Sequence, residues 1–157
     1  MTDLFMGFEG KFYVGPSGKE SPTASGMILA DSVRNPQYTW QYTDVDATLR
    51  RHNGIKAYIK GMLDVSITFT LPNEKLASGS RSADAQLILD ALRNRHTPIT
   101  IIMLDVTGGE GLIGDFELFS GDKSEEDENL QEWTIEAKPS AAGRAVSWYE
   151  TPSPPQE

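Results

Sequence analysis

The residues of this chain that could carry out chemistry are few, and their spacing does not favour it. Only two histidines occur, His52 beside a turn and His96 just past a helix pattern, and neither has a metal-binding spacing such as His-Glu-x-x-His. The absence of cysteine excludes disulfides, thiolate metal sites and thiol nucleophiles. No Gly-x-Ser-x-Gly elbow is present, although a Ser-His-Asp triad assembled from distant positions would leave no local signature. We therefore expect no catalytic, metal-binding or cofactor-binding residues, and no enzymatic activity.

Two other stretches suggest ligand chemistry but have simpler explanations. Residues 108–111, Gly-Gly-Glu-Gly, lack the Lys-Ser/Thr ending of a phosphate loop and precede a strand pattern rather than a helix. A hairpin turn explains them better. The acidic residues from 122 to 128 do not follow the spacing of a calcium loop, which favours a solvated loop over a cation site.

Charge and chain length narrow the class of protein. The 157 residues carry a net charge of −9, which argues against a groove that grips nucleic acid, because such a groove needs clustered Lys and Arg. DNA remains possible as cargo, since a channel through which a polyanion slides is better lined by groups that repel or ignore phosphate. No apolar run is long enough to span a membrane, and the N-terminus lacks a secretory signal pattern, so we expect synthesis in the cytoplasm.

Alternation of apolar and polar residues dominates the chain and predicts strands. The clearest run is 63–71, with apolar residues at odd positions. Residues 55–60 alternate in the same way, and Gly61 between the two runs predicts a bulge, a bend or a tight connection. Asn53-Gly54 is a strong hairpin signal, so residues 43–60 should contain an antiparallel pair.

The remaining elements complete a mainly β pattern with one helix. Further strands are expected at 99–106, where both faces should be buried, and at 112–119, 130–138 and 145–149, with weaker candidates at 11–14, 27–33 and 38–42. Apolar residues at 85, 88, 89 and 92 predict a helix over 83–94, capped by Ser80 or Ser82, with Asp84 at its positive end. The pattern predicts an antiparallel β-barrel or rolled sandwich with one packed α-helix, as a single domain over residues 1–150. A Pro-rich tail, 151–157, should be disordered.

The order of these elements, over most of the chain, resembles phage tail tube proteins and the related tube subunit of type VI secretion, the haemolysin-coregulated protein. Four stretches carry the resemblance: Gly-Lys-Phe-Tyr-Val-Gly at 10–15, Asp-Val-Asp-Ala-Thr-Leu-Arg-Arg-His-Asn-Gly at 44–54, the helix at 83–94 running into 99–105, and the closing strands at 111–119 and from 130. Arg-His-Asn-Gly stands where the family usually has Arg-Gly.

The resemblance implies a structural subunit that self-associates into rings, usually hexamers, which stack into a tube. Expected partners are sheath, tape-measure and baseplate proteins, with DNA or an effector protein as cargo only and no membrane. The expected location is a virion tail or a phage-like particle, including one encoded by a prophage, with synthesis in the bacterial cytoplasm.

The polar faces of the central strands are the candidate lining of the channel. Their residues are Asp44, Asp46, Thr48, Arg50, Asp64, Ser66, Thr68 and Thr70. The loop 72–82 should be mobile in a free subunit and become ordered against the next ring. Alternatively, these faces simply meet solvent on an isolated barrel. A type VI secretion tube, a stand-alone barrel that binds a small apolar ligand, and an unrecognised enzyme are the competing functions.

Overall fold

The computed structural model describes residues 10–106, 108–124 and 131–150. The strands in these ranges are β1 (Lys11–Pro16), β2 (Ile28–Leu29), β3 (Arg34–Asp46), β4 (Tyr58–Pro72), β5 (Ile99–Leu104), β6 (Gly111–Ser124), β7 (Glu132–Pro139) and β8 (Ser147–Tyr149). The helix α1 spans Ala83–Arg93, and a short 3-10 helix, Arg50–His52, connects β3 to β4. The tail predicted at 151–157 lies outside the described residues.

The strands form one antiparallel sheet in the order β2-β1-β5-β6-β7-β4-β3, and β8 also pairs with β6. The 14-residue β6 pairs with two strands in succession along one edge: β8 at its beginning and β7 from Phe116 onward. On its other edge β6 pairs with β5, but only as far as Phe116. The predicted fold class is confirmed: a mainly β chain with an antiparallel sheet and one packed α-helix.

The sheet rolls up until its distant strands meet around one core. Phe12 of β1 contacts Phe69 of β4 with 5.2 Å between ring centroids. Trp40 of β3 meets Trp148 of β8 edge to face at 6.1 Å. Helix α1 packs into this roll with Ile88 and Leu89, whose side chains are fully buried. Each such buried side chain contributes about 1.5–3 kcal/mol relative to an exposed one.

Strand β5 is buried on both faces, as its continuous apolar run predicts. Ile101 belongs to the main core, whereas Ile102 on the opposite face belongs to a second, smaller cluster. That second cluster is covered by Met27, which precedes β2, and by Tyr149 of β8. The cover of this face is therefore supplied by the chain itself.

The start of α1 is tied to the loop that precedes β3. Ser82 is the N-cap residue by its extended backbone, although its hydroxyl makes no capping bond to the helix amides. Asp84 is buried, and its carboxylate accepts a hydrogen bond from the Ser32 amide at 3.2 Å. Burial raises the pKa of Asp84, but hydrogen bonds from Ser82, Ser32 and the Ala85 amide outweigh it and leave that pKa below its ordinary value. The ionised carboxylate thus holds the helix to the loop.

Three bulges interrupt the long strands. In β3, Asn35 and Pro36 face the single residue Phe69 between the Arg34↔Thr70 and Gln37↔Thr68 pairs. In β4, Gly61 and Met62 face the single residue Thr43, and the Met62 amide donates to the Thr43 hydroxyl at 2.9 Å. In β6, Phe119 is the extra residue. The predicted runs 55–60 and 63–71 therefore lie mostly on one long bulged strand, and the hairpin expected at Asn53-Gly54 joins it to β3.

A buried carboxylate joins two surface loops to the middle of the sheet. Asp115 of β6 is 1% exposed and accepts hydrogen bonds from the Gly18 amide at 3.0–3.1 Å, the Thr100 hydroxyl at 2.7 Å and the Arg144 amide at 2.7 Å. Gly18 belongs to the β1–β2 loop and Arg144 to the β7–β8 loop. The guanidinium of Arg144 also lies 3.0 Å from the Glu20 carboxylate. Asp115 therefore fixes both loops relative to β6.

Candidate functional site

A four-stranded polar surface is the most extensive functional candidate of the described structure. Strands β6, β7, β4 and β3 lie side by side, and directly paired residues on neighbouring strands point to the same face. Two complete rows cross the outer face of all four strands. They are Asp122–Thr134–Thr70–Arg34 and Ser120–Glu136–Thr68–Gln37. The opposite face carries the row Leu118–Ala137–Ile67–Tyr38, and its first three residues belong to the main core. We name the outer surface the polar face.

Hydroxyl and amide side chains cover most of the polar face, and its charges are mainly acidic. By alternation from the paired rows, the carboxylates on it are Asp64, Glu117, Asp122, Glu132 and Glu136, and the cations are Arg34 and Lys138. The Lys138 ammonium lies 3.9 Å from the Glu136 carboxylate. A surface with this balance repels or ignores phosphate rather than holding it.

The structure brings half of the predicted lumen-facing residues together. Asp64, Ser66, Thr68 and Thr70 alternate along β4 on the polar face, opposite Gln41, Thr39, Gln37 and Arg34 of β3. Those β3 residues, and their counterparts on β6 and β7, were not among the candidates. The alternation of Gln37, Thr39 and Gln41 with three aromatic residues is the signal that identifies them.

The other four predicted residues lie off the polar face. Regular alternation along β3 places Asp44 and Asp46 on the same side as Tyr42, which is the core side of the sheet. Lys60, which the β4 bulge brings opposite Asp44, stacks its ammonium 4.6 Å from the Tyr42 ring. Thr48 lies just beyond β3 and donates its hydroxyl to the Asp46 carboxylate at 2.6 Å. Hydrogen bonds from the Thr48 side chain and backbone lower the pKa of Asp46. Arg50 begins the 3-10 helix at the hairpin tip.

The hairpin that carries these residues extends past the sheet. Strand β4 pairs with β7 only from Ile67 onward, so residues 39–66 form a two-stranded ribbon. We name its outer part, residues 43–62 from the β4 bulge to the hairpin tip, the arm. The arm exposes an unusual number of large apolar side chains: Val45, Leu49, Ile55, Tyr58, Ile59 and Met62, the last 81% exposed. A cluster of this kind on a surface indicates a contact with another molecule.

Both lateral edges of the four-stranded region are open. Strand β3 pairs only with β4 along its 13 residues, so its outer edge has no strand partner in the described structure. The part of β6 after Phe116 pairs with β7 on one edge. On its other edge this part has no partner in the described structure, because the pairing with β5 stops at Phe116. Backbone groups along both edges are therefore available to pair with further strands.

Residues with potential chemistry do not assemble into a reactive site in the described structure. His52 accepts a hydrogen bond on Nδ1 from the Leu49 amide at 2.8 Å and so completes the turn at the arm tip. His96 is exposed after α1, in a surface groove of about 500 Å³. No group of three or more His, Asp or Glu side chains that could hold a metal occurs in residues 10–106, 108–124 and 131–150. Gly108 occupies the turn between β5 and β6, with φ of +75°, whereas 125–128 of the acidic run fall outside the description.

Comparison with known proteins identifies the fold. Neither a family model nor a curated protein matches the sequence. The SPP1 tail tube, studied by solid-state NMR and cryo-EM, matches with a TM-score of 0.68 and 14% identity, over 94% of this chain and 80% of that chain. The tail of an empty gene transfer agent particle, refined with C6 symmetry, matches with a TM-score of 0.59 and 11% identity, over 93% and 99% of the two chains.

A third match is a cryo-EM structure of the anti-feeding prophage baseplate with six-fold symmetry. It matches with a TM-score of 0.56 and 7% identity, over 96% of this chain and 99% of that chain. At these identities the likeness shows the fold alone. The chain thus shares its fold with subunits of phage tail tubes and tail-like particles. No helix of the described residues is long and apolar enough to cross a membrane.

Proposed function

We propose that this chain is a structural, non-enzymatic subunit of a hollow tube, of the kind found in phage tails and phage-like injection particles. Copies assemble into rings, the rings stack, and the tube conducts DNA or protein cargo. The observation that carries the proposal is the combination of a polar four-stranded face with an open strand edge on each side of it. The shared fold with tail tube and tail-like particle structures supports the same function.

Ring formation follows from the direction of the edge strands. Three antiparallel pairings separate β6 from β3, so these two strands run in opposite directions. When copies are related by rotation, β3 of one copy is therefore antiparallel to β6 of the next, and the two edges can form a regular ladder. Closure of such a ring pairs both open edges of the four-stranded region and so removes an aggregation hazard. Six copies per ring is our expectation, supported by the C6 and six-fold symmetries of two of the matching particles.

The polar face would line the channel. Asp64, Ser66, Thr68 and Thr70 contribute the β4 part of that lining, and its acidic balance suits passage of a polyanion. Asp44 and Asp46 lie on the opposite face of β3 from this lining, and Thr48 and Arg50 belong to the arm.

Stacking of rings would bury the arm and the loop at residues 72–82. The apolar side chains of the arm need cover that the subunit does not provide, and Leu76 at the loop tip is 56% exposed. Sheath, tape-measure and baseplate proteins would bind the completed tube. A type VI secretion tube would be built from subunits in the same way. Gene neighbours distinguish the two functions: capsid and terminase genes indicate a phage tail, and a secretion ATPase gene indicates a secretion tube.

Accessibility of introduced cysteines tests the channel lining, because the chain has no cysteine of its own. Ser66→Cys on the polar face and Ser147→Cys on β8 are treated with a small maleimide and with a maleimide on a large polyethylene glycol. We expect both reagents to label both positions in free subunits. In assembled tubes the large reagent should label only position 147, while the small one still reaches position 66. Labelling of position 66 by the large reagent in intact tubes contradicts the lining.

The proposed function also requires that the concentrated wild-type protein form rings or tubes, and electron microscopy tests this. A chain that stays monomeric at all concentrations in solution contradicts the proposed function as a whole.

A further inference from the structure

We propose that Arg34 of one copy forms an ion pair with Asp122 of the neighbouring copy, and that this pair sets the register in which the two strand edges meet. The proposal rests on the edge-to-edge ring described above. It names the residues at the contact between β3 of one copy and β6 of the next, which we call the seam. Its partner is a second copy of this chain.

The two residues occupy opposite ends of one row across the polar face. Arg34 on β3 pairs with Thr70, Thr70 with Thr134, and Thr134 with Asp122 on β6. Continuing the same row from one copy to the next places Arg34 directly beside Asp122 of the neighbour. The adjacent row then places Gln37 beside Ser120, which is a hydrogen-bonding pair.

Complementary charge occurs at this register and is lost at the nearest alternatives. Arg34 is the only charged side chain among the β3 positions 34, 37, 39 and 41 that belong to the polar face. A shift of two residues in either direction places Arg34 beside Ser120 or Ser124, where no ion pair forms. Pairs that face each other on neighbouring strands stabilise the sheet when their charges are opposite and destabilise it when their charges are alike.

The second acidic residue of this edge, Glu117, does not offer a competing register. If Arg34 lay beside Glu117, the next β3 residues would lie beside β6 residues before 117. That part of the edge is already occupied by β5, which pairs with β6 from Gly111 to Phe116. Only the register with Asp122 combines an ion pair with several backbone-paired residues.

Both side chains are available for this contact. Arg34 and Asp122 are exposed, and neither makes a hydrogen bond or ion pair through its side chain to another residue of the described part of the chain. The surface groove between the end of α1 and residues 117–119 leaves space beside this edge for an incoming strand. Arg34 and Asp122 are thus accessible to a neighbouring copy of the chain.

Charge reversal gives the first test, with variants matched for charge and face. We expect Arg34→Glu and Asp122→Arg each to raise the protein concentration needed for ring or tube assembly by about tenfold or more, because like charges meet at every seam of the ring. The double variant Arg34→Glu with Asp122→Arg should return to within about threefold of the wild type. The controls are Asp64→Arg on β4 and Lys138→Glu on β7, which change the polar face away from the seam and should leave assembly near wild type.

Disulfide trapping gives the second test and does not depend on variant stability. Within one chain, positions 34 and 122 are three strand spacings apart, about 14 Å, which is too far for a disulfide bond. A disulfide in the Arg34→Cys/Asp122→Cys variant therefore joins two copies. We expect a ladder of covalent oligomers up to a closed ring, and much weaker cross-linking for the matched pair at positions 34 and 117.

The outcomes separate this proposal from the proposed function. If the wild type forms rings but the charge reversals leave assembly unchanged, or the 34/122 pair does not cross-link, the seam assignment is wrong and the tube function stands. If the wild type forms no rings, both are wrong.

Discussion

Replacement of Asp115 by alanine should weaken the subunit more than any other removal of a single charge from the described sheet. The carboxylate is fully enclosed and accepts hydrogen bonds from Gly18, Thr100 and Arg144. Alanine leaves the two amides without their acceptor, and each unsatisfied buried donor costs about 1–3 kcal/mol. The Thr100 hydroxyl is less affected, because it can donate to the Pro16 carbonyl at 2.9 Å instead. We expect a loss of about 3 kcal/mol in the free energy of unfolding.

The asparagine variant separates loss of hydrogen bonds from loss of charge. In Asp115→Asn the remaining carbonyl can replace Oδ2 and accept from Gly18 and Arg144, while the new amide group donates to the Thr100 hydroxyl. Thr100 then donates to Pro16. All three groups that donate to Asp115 in the wild type thus keep an acceptor, so this variant should lose less than alanine, about 1 kcal/mol.

Urea unfolding followed by tryptophan fluorescence measures both variants at concentrations below assembly. With a slope of about 2 kcal/mol per molar urea, the midpoint should fall by about 1.5 M for the alanine variant and by about 0.5 M for asparagine. Asp64→Ala, which removes an exposed carboxylate of the polar face, is the control and should change stability by less than about 0.5 kcal/mol. A midpoint for Asp115→Ala within about 0.5 M of wild type, or equal losses for alanine and asparagine, refutes the reasoning.

Three further predictions concern packing, pH and the loop. Gly111→Ala should abolish soluble expression or cost at least about 3 kcal/mol, because its Cβ would overlap the Met103 carbonyl of β5; thermal unfolding checks this. Since the folded pKa of Asp84 lies below its ordinary 3.8, its stabilisation is present above about pH 4 and is lost as pH falls through the folded pKa. Asp84→Asn should therefore be about 1 kcal/mol less stable than wild type at pH 7, and the gap should narrow as the pH falls below about 4, as measured by urea unfolding over a series of pH values. Residues 72–82 should be cleaved by protease in the free subunit and protected in tubes; equal cleavage in both states contradicts their role in stacking.

Strand positions were predictable from sequence wherever local alternation coincides with burial. The run at 63–71 has its odd residues in the core, and Asn53 and Gly54 adopt the positive φ values that a hairpin turn needs. The predicted strand at 27–33 shortens to Ile28–Leu29, because Ser32 is held by the Asp84 carboxylate of the helix instead of by a neighbouring strand. Such a long-range bond leaves no local pattern.

The candidate site was predictable only in part, because alternation shows that a strand has two faces but does not show where a bulge exchanges them. Lys60 and Asp64 are an even number of residues apart on β4, yet they lie on opposite faces of the strand pair, Lys60 with Asp44 on the core side and Asp64 on the polar face. The exchange occurs where Gly61 and Met62 face Thr43, and the sequence alone left a bulge, a bend and a tight connection equally open at that glycine.

Because of the β4 bulge, one side of the β3–β4 pair is polar along one part of its length and apolar along another. Before the bulge, residues that point to the polar face are Asp64 and its hydroxyl-bearing neighbours, which suit contact with water and cargo. Beyond it, the paired residues on that side are Val45 and Ile59, which are apolar and exposed in the free subunit. Because side chains point alternately to either face, one extra residue is enough to replace polar groups by apolar ones along a continuous strand. The same hairpin can therefore line a channel at one level and bind the adjoining ring at the next. A regular β4 without the bulge would have placed Lys60 instead of Ile59 opposite Val45, where the apolar contact is needed.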